Sequence, residues 1–147
     1  MTLLYADSSA LARAYLADEA DHALLRELLL GGSELVVTSE VGRLELATAV
    51  RAAHRAGRLP RWQDLLGRID VDCGEEGPLT LLALRPDVVL RAAYQLVLEH
   101  RLRTLDAIHL AVALEECPPL ADGDDIVFVT RDTDQAAAAS AAGLAVA

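Results

Sequence analysis

Short apolar runs alternate with amphipathic stretches along the chain, and this alternation predicts an α/β protein. Apolar runs rich in β-forming residues stand at 3–5, 34–38 and 126–130, and a last one is the terminal LAVA. Between them, apolar positions recur at helical spacing, as in Leu24, Leu25, Leu28 and Leu29. We therefore expect a short central parallel β-sheet that is covered by helices on both faces.

Capping and breaking residues indicate where the helices begin and end. Asp7 or Ser8 can cap the first helix, and Ser39 can cap a long helix that ends at Gly57. We predict helices over residues 10–17, 21–30, 39–56, 60–69, 86–99, 104–115 and 132–143. The segment 79–84 (LTLLAL) fits either a strand or a buried helix, and residues 118–124 are predicted to form a polar loop.

Length and composition narrow the class of protein. A chain of 147 residues fits a single domain, 1–147, and its 53% hydrophobic content excludes a disordered segment. All 13 basic residues are Arg. The absence of Lys excludes a Walker-type phosphate loop and Schiff-base chemistry.

The net charge of −10 argues against a protein that coats nucleic acid, because such a surface repels phosphate on average. Cys73 and Cys117 stand far apart and form no metal-binding motif, which favours a reduced protein. The N-terminus lacks the features of a signal peptide, and no apolar run is long enough to span a bilayer. We expect a cytoplasmic protein with no membrane segment.

Four acidic residues fall where the chemistry of a parallel sheet collects, at or near the carboxyl ends of strands. Asp7 follows the first strand, and Asp132 follows the strand at 126–130. Glu45 lies in the helix after the second strand, and Asp106 stands in the first turn of a predicted helix. Taken alone, the three aspartates are explained as helix caps or dipole partners, whereas Glu45 stands among apolar neighbours, where a carboxylate is costly without a cation or a proton.

Taken together, these four acids favour a metal site. Neighbouring carboxylates stay ionised together only around a cation, because two of them at about 4 Å repel by roughly 4 kcal/mol at an effective dielectric constant near 20. All-oxygen ligation suits Mg²⁺ or Mn²⁺ and fits zinc poorly. The implied chemistry is hydrolysis of a phosphodiester.

The contexts of the four acids resemble those of PIN-domain ribonucleases, and more closely the VapC toxins of bacterial VapBC toxin–antitoxin modules. The matching segments are LLYADSSAL, SEVGRLELATAVR, LRTLDAIHLAVAL and FVTRDTDQAAAASAAGLAV. The likeness extends over nearly the whole chain, and the second half carries its more specific motifs.

The resemblance implies a PIN fold and RNA cleavage that depends on Mg²⁺ or Mn²⁺. It also implies a homodimer and inhibition by a cognate VapB-like antitoxin. Asp7, Glu45, Asp106 and Asp132 fall on the four acidic positions of the family. Asp134 falls where some members carry an accessory acid, and Thr130 where a small hydroxyl residue bonds a site carboxylate.

An acid-free basic segment, RAAHRAGRLPR at 51–61, offers a local patch for RNA. Arg51 and Arg55, together with Arg43 nearby, are the candidate substrate contacts, and a solvated helix face that pairs with acids is the alternative. His109 shares a helix face with Asp106, and we expect a packed or hydrogen-bonded residue there. We expect Trp62 to pack between helices.

Two other functions compete with a ribonuclease. A HAD-type phosphatase needs a second Asp two residues after its nucleophile and a Lys, whereas Asp7 is followed by Ser8 and Ser9 and the chain has no Lys. A non-catalytic PIN-fold interaction module would normally have lost one of the acids, and none is missing. The RNA target and the number of metal ions stay open.

Overall fold

The computed structural model describes residues 1–147 and contains one sheet of five parallel strands. The strands are β1 (Thr2–Ala6), β2 (Leu35–Ser39), β3 (Leu79–Leu82), β4 (Asp125–Val129) and β5 (Ala145–Val146). They lie in the order β3-β2-β1-β4-β5, so the first strand is at the centre. All neighbouring pairs are parallel, which confirms the predicted sheet.

Seven α-helices connect the strands. They are α1 (Ser8–Tyr15), α2 (His22–Arg26), α3 (Glu40–Arg55), α4 (Trp62–Asp72), α5 (Pro86–Glu99), α6 (Thr104–Ala121) and α7 (Thr133–Ala141). A π-helical turn, Glu27–Gly31, continues α2. No helix combines the length and the hydrophobicity that a membrane crossing requires.

The side chains of β1 alternate between two hydrophobic cores, because successive residues of a strand point to opposite faces. Leu3 and Tyr5 pack with buried residues of α5, α6 and α7. Leu4 and Ala6 pack with α1, α3, α4 and the α2 segment. Helices therefore cover both faces of the sheet, as predicted.

The sequence prediction was wrong at Pro118 and Pro119, which lie inside α6 and not in a loop. Proline already has a helical φ, but neither Pro118 nor Pro119 has the N–H that would bond the carbonyl four residues earlier, so the last turns of α6 lack two hydrogen bonds. Continuing α6 to its last turn buries Cys117 and Ala121 in the core. A second difference is small: α4 begins at Trp62, two residues after the Pro60 that was expected to open it.

Within the ambiguous segment 79–84, residues Leu79–Leu82 form β3, which pairs in parallel with β2. In a parallel sheet, all strands end at the same edge, which is where α1, α3 and α7 begin. This edge carries the candidate site.

Candidate active site

Asp7 directly follows β1 and caps α1. Its carboxylate accepts hydrogen bonds from the backbone N–H of Ala10 (3.0 Å), the Ser9 hydroxyl (2.7 Å) and the Thr130 hydroxyl (2.5 Å). Only 2% of Asp7 is exposed. Burial raises the pKa of this carboxyl above its ordinary value, although the three donors work in the opposite direction.

Asp132 occupies the equivalent place after β4, the neighbour of β1 in the sheet. It caps α7 by accepting a hydrogen bond from the backbone N–H of Gln135 at 2.9 Å. The backbone N–H of Asp132 donates to the Thr130 hydroxyl at 3.1 Å, and the same hydroxyl donates to Asp7. Thr130 thus joins the two aspartates, as the resemblance implied.

Asp106 enters the same site from the first turn of α6. Its backbone carbonyl accepts a hydrogen bond from the side-chain amide of Gln135 at 2.8 Å, which ties α6 to α7. Burial raises the pKa of the Asp106 carboxyl, and the charges of Asp132 and Asp7 raise it further. The three aspartates therefore share one electrostatic environment.

Arg103 is the cation of this cluster of three aspartates. Its Nε lies 3.5 Å from Oδ2 of Asp106, and its Nη2 lies 4.0 Å from Oδ2 of Asp132. Its charge lowers the pKa of the Asp106 carboxyl, against the larger effect of burial. The sequence interpretation missed this residue, although the i,i+3 spacing to Asp106 is a usual one for a helical ion pair.

Glu45, on α3, lies at the border of the cluster and is held by two side chains. Its Oε1 lies 2.5 Å from Nε2 of His109, and its Oε2 accepts a hydrogen bond from the Ser8 hydroxyl at 3.0 Å. Burial alone would raise the pKa of the Glu45 carboxyl, but these two partners together hold it below its ordinary value. Glu45 is thereby kept as a carboxylate.

His109 is completely buried and links Glu45 to the sheet. Its Nδ1 lies 2.8 Å from the Tyr5 hydroxyl, which accepts a hydrogen bond from the backbone N–H of Ser39 at 3.3 Å. The Glu45 carboxylate can only accept, so Nε2 carries the proton that faces it, and Nδ1 shares the other hydrogen bond with the Tyr5 hydroxyl. This agrees with the expected hydrogen-bonded role of His109.

Gly42 makes room for this arrangement under α3. A Cβ atom at this position would lie 2.7 Å from Oγ1 of Thr38 and 3.2 Å from Cε1 of His109. The absence of a side chain lets α3 approach the end of β2 and the imidazole closely. Glu45, one turn further along α3, comes within reach of His109 for this reason.

The four predicted acids thus meet at one edge of the sheet, but they are not equivalent. Asp7, Asp106 and Asp132 form the cluster, and Glu45 borders it through His109 and Ser8. Asp134 lies exposed in the first turn of α7 and makes no hydrogen bond or ion pair with them.

The family model for the PIN domain matches residues 4–141 of the chain. The chain belongs to the PIN-domain family. No curated protein matches it by sequence.

Solved structures share the fold of this PIN domain. VapC20 of Mycobacterium tuberculosis, a toxin that cleaves the sarcin-ricin loop, is 19% identical with a TM-score of 0.66, and the match covers 96% of this chain and 95% of that one. The protein PAE2754 of Pyrobaculum aerophilum is also 19% identical, with a TM-score of 0.62 and coverage of 99% and 83%. A toxin–antitoxin complex from Klebsiella pneumoniae is 16% identical, with a TM-score of 0.56 and coverage of 91% and 90%.

The donor set of the PIN domain suits a hard divalent cation, since aspartate oxygens make up the cluster. As the side chains stand, no three His, Cys, Asp or Glu residues are arranged around a single ion position. Arg103 supplies the positive charge near Asp106 and Asp132 instead. The residues therefore fit Mg²⁺ or Mn²⁺ by the chemistry of their carboxylate oxygens.

The arginines that the sequence suggested for RNA are used in different ways. Arg43 forms an ion pair with Asp70, and the guanidinium of Arg51 stacks on Trp62 at 4.0 Å from the ring centre. Arg55 makes no ion pair and borders an open depression together with Arg51. Trp62 packs against α3 as expected, and a role of these arginines in RNA binding stays a prediction.

Proposed function

We propose that this PIN domain is a divalent-metal-dependent endoribonuclease and the toxin of a type II toxin–antitoxin module, inhibited by a VapB-like antitoxin. The observation that carries the proposal is the convergence of Asp7, Asp106 and Asp132 at one edge of a PIN fold. Such a cluster is unfavourable unless it receives positive charge. A catalytic metal is the usual way to supply that charge in a site that binds phosphate.

Asp7, Asp106 and Asp132 are the residues that would hold the metal ion. The ion supplies Lewis acidity toward the scissile phosphate and an activated water. Asp7 is rigid because it caps α1 and accepts three hydrogen bonds. Glu45 is held as a carboxylate by His109 and Ser8, so it adds negative charge at the border of the site.

Two open depressions lead to Glu45 and give a polynucleotide access to the cluster. One, of about 380 Å³, is lined by Glu45, Arg103, Thr104, Leu105 and Asp106. The other, of about 440 Å³, lies between α1 and α3, and its lining includes three alanines: Ala12, Ala49 and Ala52. An open, shallow site of this kind suits a flexible RNA strand better than a small enclosed metabolite.

The partners belong to the same proposal. The fold is shared with a chain of a toxin–antitoxin complex, which supports an antitoxin partner. Helix α5 exposes an apolar stripe, Leu90, Tyr94, Val97 and Leu98, which supports a homodimer. A cytoplasmic location, where the RNA and the antitoxin are made, follows from the function.

The proposal is tested by incubating the purified protein with labelled RNA and Mg²⁺ or Mn²⁺. We expect endonucleolytic cleavage that is abolished by EDTA and restored by added metal. Asp106→Asn should abolish cleavage, whereas Asp87→Asn, an exposed acid in the first turn of α5, should retain it. A folded wild-type protein that leaves all RNA intact with either metal would favour a non-catalytic interaction module.

A further inference from the structure

Arg103 is in an unusual position for a residue that only stabilises the fold. Its side chain is 87% exposed, yet its guanidinium faces two carboxylates that belong to different helices, Asp106 of α6 and Asp132 at the start of α7. The contacts, at 3.5 and 4.0 Å, are long for a bidentate ion pair. An exposed pair of this kind contributes little to stability.

Arg103 is the only arginine paired with the aspartate cluster. No other arginine forms an ion pair with Asp7, Asp106 or Asp132. The carboxylates of Asp106 and Asp132 repel each other, and the positive charge of the guanidinium offsets part of that repulsion. A divalent ion bound to the same carboxylates would take over this role and repel the guanidinium.

The surroundings of Arg103 favour an anion once the guanidinium is displaced. Arg103 stands at the N-terminus of α6, an 18-residue helix that no side chain caps. The first N–H groups of that helix are therefore free to bind an oxygen anion, and the helix dipole adds partial positive charge there. The depression beside this helix end is lined by Glu45 and Asp106 as well as by Arg103, Thr104 and Leu105, so a phosphate enters it favourably only when a metal ion neutralises those carboxylates.

We propose that Arg103 alternates between two partners, the carboxylates of Asp106 and Asp132 in the metal-free protein and the RNA phosphate beside the scissile bond when the metal is bound. The role of the guanidinium toward phosphate rests on the proposed ribonuclease function. Its role as a counter-ion in the metal-free protein does not. The metal ion and the guanidinium are both positively charged and would bind the same carboxylates, so they compete.

The first test measures Mn²⁺ binding to the RNA-free protein by titration calorimetry. Removal of the competing cation in Arg103→Gln should tighten Mn²⁺ binding by about fivefold at low salt, since an exposed ion pair is worth up to about 1 kcal/mol. The matched control is Arg101→Gln, an exposed arginine two residues earlier, which should leave the affinity unchanged. Equal Mn²⁺ affinity of wild type and Arg103→Gln would overturn the counter-ion role.

The second test measures binding of a fluorescein-labelled single-stranded phosphorothioate RNA, which keeps the backbone charge and slows cleavage, to the otherwise wild-type protein at saturating Mg²⁺, so that all three aspartates stay in place. Arg103→Gln should reduce the slope of log affinity against log salt by about 0.7, the value for one lost phosphate contact on single-stranded nucleic acid. Arg101→Gln should keep the slope. An unchanged slope with Arg103→Gln would overturn the phosphate contact.

Cleavage by the otherwise wild-type enzyme gives the third measurement. Arg103→Gln should lower kcat/KM by about a hundredfold, as expected for the loss of one donor to the transition-state charge, and Arg103→Lys should recover part of it. A wild-type protein that binds Mn²⁺ but never cleaves RNA would refute the proposed function, and the calorimetric result for Arg103 would still stand. Normal cleavage by Arg103→Gln would refute the contact of Arg103 with the phosphate, and the proposed ribonuclease function would stand.

Discussion

Two aspartates of this PIN domain are buried to the same extent, 2% exposed, and have different partners. Asp72, at the end of α4, accepts a hydrogen bond from the Tyr15 hydroxyl at 2.7 Å and pairs with Nε of Arg68 at 3.0 Å. Asp7 accepts hydrogen bonds from neutral donors only, and the carboxylates of Asp106 and Asp132 lie in its neighbourhood. Asp72 thus has an arginine of its own, Arg68, whereas no arginine pairs with Asp7.

The difference is the one expected between an acid that serves the fold and one that holds a metal ion, the role proposed for Asp7. Burial and the charge of Asp72 raise the pKa of Tyr15 well above its ordinary value, so that hydroxyl stays a donor and the network is complete. At Asp7 the neutral donors do not fully compensate for burial, and the pKa of the carboxyl stays raised. A buried acid that lacks its own cation retains a demand for positive charge, which a metal ion can meet.

The largest expected effect is on catalysis, where matched substitutions at the two aspartates should behave in opposite ways. Asp7→Asn should reduce RNA cleavage by about a hundredfold or more, because a metal ligand worth several kcal/mol of transition-state stabilisation is lost. Asp72→Asn keeps an acceptor for Tyr15 and should cleave at the wild-type rate. Single-turnover cleavage assays at saturating Mg²⁺ measure both, and equal losses would remove the distinction between the two acids.

The next effect is on stability, where a substitution of Asp72 should matter although it leaves cleavage unchanged. Asp72→Ala should lower the free energy of unfolding by about 1–3 kcal/mol, because it leaves the buried Tyr15 hydroxyl without its partner. Arg68→Ala should cost less than about 1 kcal/mol, since that side chain is 66% exposed. Urea unfolding of the metal-free proteins gives both values. If Arg68→Ala lost more stability than Asp72→Ala, the ion pair with Arg68 would be the main partner of Asp72, and not the Tyr15 hydroxyl.

The smallest effect is a gain in stability at Asp7. Because the folded-state pKa of this acid is raised, the folded protein binds its proton more tightly than the unfolded chain does. The ionised Asp7 carboxylate therefore destabilises the folded protein. This destabilisation is complete above the folded-state pKa and disappears as the pH falls to the unfolded-state pKa of about 3.9. Asp7→Asn should therefore melt a few degrees higher than wild type at neutral pH without metal.

Melting curves recorded from neutral to acidic pH test this prediction. The advantage of Asp7→Asn should shrink as the pH falls, because wild-type Asp7 then becomes protonated. Added Mg²⁺ should stabilise wild type more than the variant. A variant that melts lower than wild type at every pH would show that the ionised carboxylate stabilises the fold through its cap.

Much of the fold is predictable from local patterns. The apolar runs predict the strands at 3–5 and 126–130, Ser39 is predicted as a cap, and the first helix is predicted to be capped by Asp7 or Ser8, of which the structure shows Asp7. The two prolines at 118 and 119 were misread because the burial of Cys117 outweighs a local preference for a loop. A short segment such as 79–82 adopts a strand only because β2 lies beside it.

The sequence by itself determined the alternation of helices and strands, the helix caps and the placement of acids after strands, since each depends on residues within a few positions of one another. Only the tertiary structure decided which side chains serve those acids. His109 meets Glu45 across 64 positions, and Thr130 meets Asp7 across 123. Such contacts depend on the strand order and on how closely α3 packs over Gly42, and no local pattern encodes either.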